Sequence, residues 1–164
     1  MKEVLIPYIG YSHVKKDWID DNGHMNVGYY LSAFDDGSCT MFDELGLGWD
    51  YTAKGNGSIF IMSSSQDFLR ELLEADPLRI TTWLVAYDRN RVHVFQELFH
   101  AEKEYLAARA EFMFVHVSLK TRKVMGMPQT ALNRLSEIES VHKSMVATKF
   151  IGRKISLDWK STNG

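Results

Sequence analysis

The sequence predicts an α+β fold, one long helix followed by an antiparallel sheet. Three observations predict it. Val27, Tyr30, Leu31, Phe34, Met41, Phe42 and Leu45 recur at helical spacing. Beyond residue 58 the pattern turns to alternation, as in Ile80, Thr82, Leu84 and Ala86 against Thr81, Trp83, Val85 and Tyr87. The strand-like runs are separated by turns short enough for hairpins.

Taken in order, residues 4–16 are rich in β-branched and aromatic side chains and read as a strand. Residues 17–26 are too dense in Asp, Asn and Gly for regular structure. The helix follows over residues 26–45, with Asn26 as N-cap and Gly46 as its stop; Gly37 and Ser38 leave a small gap in its apolar stripe. So many large apolar residues predict a helix buried over much of its circumference. Residues 46–57 read as a loop carrying Trp49 and Tyr51. Strands are predicted over 58–72, 78–87, 91–102 and 105–119, with a short piece near 123–126. The turns between the long strands are Glu74-Ala75-Asp76-Pro77, Asp88-Arg89-Asn90 and Glu102-Lys103-Glu104. Residues 130–145 read as a surface helix, and the polar end of the chain as a fraying tail over 146–164. One face of the sheet is expected to cover the helix and the other to meet a partner subunit. Unpaired sheet edges invite a second copy, so a homodimer or homotetramer is the expected assembly.

At 164 residues the chain is one domain, taken as 1–145, large enough to bury a core without staples. Nineteen Lys and Arg against twenty-one Asp and Glu give a net charge of −2, which lacks the basic footprint of a nucleic-acid binder. The single cysteine, Cys39, excludes an intrachain disulfide framework and a Cys-based zinc site, and fits a reducing compartment. The N-terminus carries no long apolar stretch, and no run reaches the ~18 apolar residues of a membrane span. The expected setting is the cytoplasm, without membrane or nucleic-acid partner.

Chemistry concentrates in Asp20-Asp21-Asn22-Gly23-His24-Met25-Asn26-Val27. A carboxylate, two amides and an imidazole stand just before a helix start. Helix N-termini present unpaired N–H groups and partial positive charge. A carbonyl oxygen gaining negative charge is stabilised there. A carboxylate nearby can act as base toward water or as nucleophile. The ingredients suit acyl transfer. The same residue types also build ordinary tight loops, and Asn26 caps a helix in either case.

The pattern Asp20-x-x-Gly23-His24-x-Asn26-x-x-x-Tyr30 resembles hotdog-fold acyl-CoA thioesterases of the 4-hydroxybenzoyl-CoA thioesterase type. Asp20, Asn22, His24 and Asn26 also fit the D-x-N-x-H-x-N pattern of plant acyl-ACP thioesterases. Three further stretches echo the bacterial branch: Phe68-Leu69-Arg70-Glu71-Leu72 with Asp76-Pro77, Asp88-x-x-Arg91-x-His93-x-Phe95, and residues 113–121. The resemblance spans about residues 4–128 and implies an antiparallel curved sheet wrapped around one central helix.

It implies Asp20 as the catalytic carboxylate, attacking the thioester carbon or activating water. It implies Val27 as the residue whose backbone N–H polarises the thioester carbonyl. Asn22 and His24 match polar catalytic positions of the plant branch, and Asn26 and Tyr30 belong to the substrate site. Where bacterial relatives carry an acidic residue, this chain has Ser63; with Ser65 it is expected to line the pocket. Arg89 and Arg91 align with the hairpin that carries basic coenzyme A contacts, and phosphates favour such charge. No cofactor is implied beyond the coenzyme A of the substrate.

The remaining residues have plainer readings. Asp21 is a turn residue, Cys39 an inert core thiol and the methionines core filler. His93, His100 and His116 lack ligand spacing, so no metal is predicted. Arg70 and Arg79 read as surface charge. Trp18, Tyr29, Tyr30, Trp49, Tyr51 and Trp83 suit either packing or a cation–π cage for a quaternary ammonium group, which the betainyl-CoA thioesterase branch would need. Two rivals remain. A hydratase or dehydratase of the same fold spaces Asp and His five apart, whereas Asp20 and His24 are four apart. A non-catalytic acyl-CoA binder is the other.

Overall fold

A computed structural model describes residues 4–145, 150–152 and 155 of the chain. Five strands form one antiparallel sheet: β1 (Tyr8–His13), β2 (Gly57–Phe68), β3 (Pro77–Tyr87), β4 (Arg91–His100) and β5 (Leu106–Ser118), in the spatial order β1-β3-β4-β5-β2. Three helices accompany it: α1 (Val27–Glu44), α2 (Trp49–Ala53) and α3 (Gln129–His142). The predicted α+β class holds, and so do the long helix and two of the three expected hairpins, β3–β4 and β4–β5; the Glu74–Pro77 turn instead joins β2 to β3, which lie apart, because β2 crosses to the far edge and pairs with β5. No helix among the described residues is long and apolar enough to cross a membrane.

Helix α1 lies against one face of the sheet. Tyr30, Ala33, Phe34, Gly37, Ser38, Met41 and Phe42 are buried, at the three- and four-residue spacing of one stripe. The gap at Gly37 is filled from the sheet: a Cβ there would overlap Ile80 of β3, and one on Gly10 of β1 would meet Gly37 Cα at 3.0 Å. Backbone carbonyls of α1 are satisfied by the sheet. Thr82 Oγ1 donates to Gly37 O at 3.2 Å, and Gln96 Nε2 to Phe34 O at 3.0 Å. Around these contacts Leu78, Ile80, Val94, Leu98, Phe112 and Phe114 close the core.

Several expectations are corrected. The opposite side of α1 is open, with Val27 58% and Leu31 39% exposed, because the sheet covers only one side of the helix. The first strand is shorter than predicted, and a 3₁₀ turn at Lys16–Trp18 leads into the polar loop. Strand β2 ends at Phe68 rather than 72, since Leu69 and Arg70 N–H both turn onto Ala107 O, at 2.8 and 3.1 Å. The loop at 46–57 contains α2, too short to show a helical period. The short strand near 123–126 is a single bridge between Val117 and Val124. Helix α3 is docked rather than superficial, burying Ala131, Leu135, Ile138 and His142. Arg134 ties it to Glu44 at the end of α1, with Nη2 2.7 Å from Oε1.

The face of the sheet away from α1 is partly covered by this chain itself. The Phe150 ring lies 3.7 Å from the Arg109 guanidinium, and Gly152 N–H donates to Glu111 Oε1 at 2.6 Å. The expected fraying of 146–164 otherwise falls outside the described residues.

Candidate active site

The loop before α1 is a closed knot of backbone hydrogen bonds. Asn26 N–H donates to Trp18 O at 2.8 Å, Asp20 N–H to His24 O at 3.1 Å and Gly23 N–H to Asp20 O at 2.9 Å. Gly23 sits at φ +79°, a conformation side chains disfavour, which fixes that glycine in the turn. Met25 N–H donates to Leu72 O at 2.7 Å, so the segment after β2 is stitched to the knot.

Asp20 is held inside this knot. Its Oδ1 accepts Asn22 N–H at 2.9 Å, and its Oδ2 accepts Asn26 Nδ2 at 3.3 Å. Both donors are neutral, and among the described residues no cation pairs with this carboxylate. Asn22 contributes its backbone rather than its side chain.

Asn26 also caps α1, as predicted. Its Oδ1 accepts Gly28 N–H at 2.9 Å and its carbonyl accepts Tyr29 N–H at 3.0 Å. With Asn26 N–H on Trp18, the opening N–H groups of the helix are accounted for but one. Among the described residues, Val27 N–H has no acceptor. It is a free donor at the positive end of an 18-residue helix.

That first turn borders an open cavity of about 350 Å³, with His24, Val27 and Tyr30 on one side and Phe68, Arg70 and Glu71 on the other. His24 Nδ1 lies 3.3 Å from Met25 O. A carbonyl only accepts, so Nδ1 carries a hydrogen in this contact. The Tyr30 ring packs edge-on to Phe68 at 5.0 Å. Burial first, then Tyr105 and Glu71, push its hydroxyl up to about 12, so it stays a proton donor in hydrogen bonds. Asp20 belongs to the adjoining knot, which reaches the cavity through His24, rather than to the lining itself.

Two other depressions lie toward the far end of α1. One, about 150 Å³, includes Asp35, Cys39, Phe42 and Trp49; the other, about 430 Å³, includes Asp43, Trp49 and Tyr51. Burial, then Asp35, Asp36 and Asp43, raise the Cys39 thiol, which makes it a poor nucleophile. The free amide and the imidazole single out the first-turn cavity, not size.

Not every predicted residue gathers there. The register pairs Ser64 with Phe112, which packs on Phe34 of α1, while Ser63 and Ser65 pair with Met113 and Glu111. Alternation therefore puts Ser63 and Ser65 on the face away from α1. Arg91 pairs with Val115, and β2 reaches that level at Phe60, eight residues from Phe68. The Asp88–Arg91 turn is therefore about 25 Å along the sheet from the cavity. Arg91 is also engaged by Asp88, with Nη2 2.6 Å from Oδ2. The aromatic residues do not form one cage within the chain. Trp18 stacks on Tyr29 under Lys15, Trp83 packs on His142, and Tyr51 bonds His116 at 3.0 Å. The cavity wall at Phe68, Leu69, Arg70 and Glu71 was missed as a site, although that stretch is part of the family resemblance.

The sequence profile of the thioesterase-like superfamily matches residues 14–135. A betainyl-CoA thioesterase of Pseudomonas aeruginosa is 27% identical over 157 residues, covering 96% of this chain and 98% of that one. A bifunctional L-carnitine dehydrogenase/betainyl-CoA thioesterase of a Rhizobium species is 29% identical over 145 residues, 86% of this chain but only 29% of that protein. The chain thus spans under a third of the bifunctional relative. A Staphylococcus aureus protein solved in complex with CoA superposes with a TM-score of 0.83 at 22% identity, covering 96% of this chain and 99% of that one.

Proposed function

The chain belongs to the thioesterase-like superfamily, and we propose that it hydrolyses acyl-CoA thioesters at the first turn of α1. The observation that carries this reading is the unpaired Val27 N–H on the wall of an open cavity. The thioester carbonyl oxygen accepts that N–H, and the helix end stabilises the charge it gains when the carbon is attacked. Asp20 promotes the attack of water. The new C–O bond forms, the C–S bond breaks, and the water proton leaves with the thiolate as the CoA thiol. Asn22 and Asn26 hold the carboxylate, while His24 and Tyr30 offer polar contacts to the acyl-thioester group. No cofactor takes part beyond the coenzyme A carried by the substrate.

The fold is read as the hotdog arrangement, a curved sheet around the central α1. β2 is a sheet edge along which Phe60, Ile61 and Met62 are exposed, which supports pairing with a second copy. Such a homodimer, or a tetramer of two, would close the open side of α1 and bring a second chain's residues to the site. The full-length similarity to the Pseudomonas aeruginosa betainyl-CoA thioesterase makes betainyl-CoA the first ester to try.

The test is thiol release from a panel of short acyl-CoA esters that includes betainyl-CoA. Steady release from at least one ester is expected. Tight binding without release would identify a binder, and loss of the double bond of an enoyl-CoA without thiol release would identify a hydratase.

A further inference from the structure

Four arginines of this chain have carboxylate partners: Arg79 with Glu104, Arg91 with Asp88, Arg109 with Asp67 and Arg134 with Glu44. Arg70, Arg89 and Arg122 have none among the described residues, and of these three it is Arg70 that lines the first-turn cavity with Val27. Its position is built rather than loose. Leu69 and Arg70 N–H anchor the backbone on Ala107 O. The guanidinium lies 5.3 Å from the centre of the Tyr105 ring, and Tyr105 Oη donates to Glu71 O at 3.0 Å. The ring face holds the cation without neutralising it. Glu71 shares the cavity wall but does not pair with Arg70. The site therefore keeps one uncompensated guanidinium at its mouth, where a carboxylate partner would have been easy to supply.

Resting on the thioesterase reading, we infer that Arg70 is the residue that binds the phosphorylated arm of coenzyme A and so orients the thioester on Val27. Guanidinium groups match phosphate oxygens in geometry and charge. A polyanionic arm drawn to Arg70 points the acyl group inward, toward Tyr30 and Phe68. The Arg89–Arg91 hairpin, the alternative suggested by family resemblance, lies at the other end of the sheet, with Arg91 already engaged by Asp88.

The experiment compares one acyl group on coenzyme A and on N-acetylcysteamine, which lacks phosphate. The readouts are the ratio of the two kcat/KM values and the affinity for free CoA by titration calorimetry. Arg70→Gln should lower the ratio about tenfold and weaken CoA binding by a similar factor, as for loss of one charge-assisted contact. Arg70→Lys should retain most of both. Added salt should lower the wild-type ratio and barely move that of Arg70→Gln. An unchanged ratio and CoA affinity in Arg70→Gln would overturn the inference, and so would equal loss on both esters. A collapse of the ratio in Arg91→Gln alone would move the arm to the hairpin. Calorimetry separates the two readings: should no ester be hydrolysed, CoA binding still decides the role of Arg70.

Discussion

Two loops of this chain are built on the same three residues, Asp-x-Asn, and they end as different objects. In both, the carboxylate accepts the N–H two residues on: Asn22 on Asp20 at 2.9 Å, and Asn90 on Asp88 at 2.8 Å. The hairpin loop then neutralises itself. Arg91 forks onto Asp88 Oδ2 through Nε at 2.8 Å and Nη2 at 2.6 Å, and this bond, with the backbone N–H of Asn90, holds Asp88 below the usual carboxylate range. The loop before α1 places Asn26 where the other has Arg91, gives Asp20 only neutral donors and leaves a helix amide free beside a cavity. The motif makes a turn in both places. The next group along the chain, a cation in one loop and a helix start in the other, decides whether the carboxylate remains available for chemistry.

The contrast is broken or upheld first by exchanging each carboxylate for its amide. Asp20→Asn should lower kcat/KM for acyl-CoA about 10²–10⁴-fold, the range for losing a positioned acid–base group, with an unchanged circular dichroism spectrum. Asp88→Asn should change it less than about threefold, since an exposed ion pair contributes little. Similar losses in both would erase the distinction.

Away from the site, one buried imidazole is expected to make stability depend on pH. His142 Nδ1 accepts Leu84 N–H at 3.0 Å while its Nε2–H donates to Leu5 O at 2.8 Å, so the buried ring is neutral, and burial lowers its pKa. The unfolded chain binds the proton more readily, so stability should fall as pH drops below about 6.5. His142→Gln should remove that slope and cost about 1–3 kcal/mol at neutral pH through the orphaned Leu84 N–H. Thermal melts across pH read both effects. An unaltered slope would refute the assignment.

A smaller effect separates the two asparagines. Asn26→Ala removes an N-cap and should destabilise by about 1 kcal/mol in urea melts, besides slowing hydrolysis. Asn90→Ala keeps its backbone bond to Asp88 and should be near neutral. Smallest is the acid limb of Asp88. Its depressed pKa adds stability above the unfolded value, about 3.9, that is lost as pH falls through the folded one. Asp88→Asn should flatten the melting curve only below about pH 4.

Much of the fold was legible in the amino-acid pattern. The apolar stripe and its bounding Asn26 and Gly46 marked α1 within a residue or two, because period, cap and stop agree. The β3–β4 hairpin was legible because Asp88 and Asn90 mark its turn, whereas the Asp76-Pro77 turn marks a crossover, since short turns do not say which strands pair. Less legible was which face of a strand meets the helix: a bulge after Ile61 inserts Met62 and resets the alternation beyond it, leaving Ser63 and Ser65 on the far face. Helix α2 is too short for a period to show. Nor could Arg70 be told from Arg79 in the sequence. Both follow apolar residues near an acidic neighbour, and only folding gives Arg79 the carboxylate of Glu104, 2.6 Å away, while leaving Arg70 on a tyrosine ring. The motif marked the locus, but the completed wall came from the segment after β2, which only the tertiary bond between Met25 and Leu72 brings near.

The most direct measurement is acyl-CoA hydrolysis by Val27→Pro. Proline is well suited to the first helical position, and Asn26, at φ −63° and ψ 140°, already has the conformation required before it. The exchange deletes the free Val27 amide and leaves the cap in place. Thiol release about 10²–10³-fold below wild type, with the melting temperature preserved, is the predicted result. Wild-type turnover by a folded Val27→Pro protein would contradict the account.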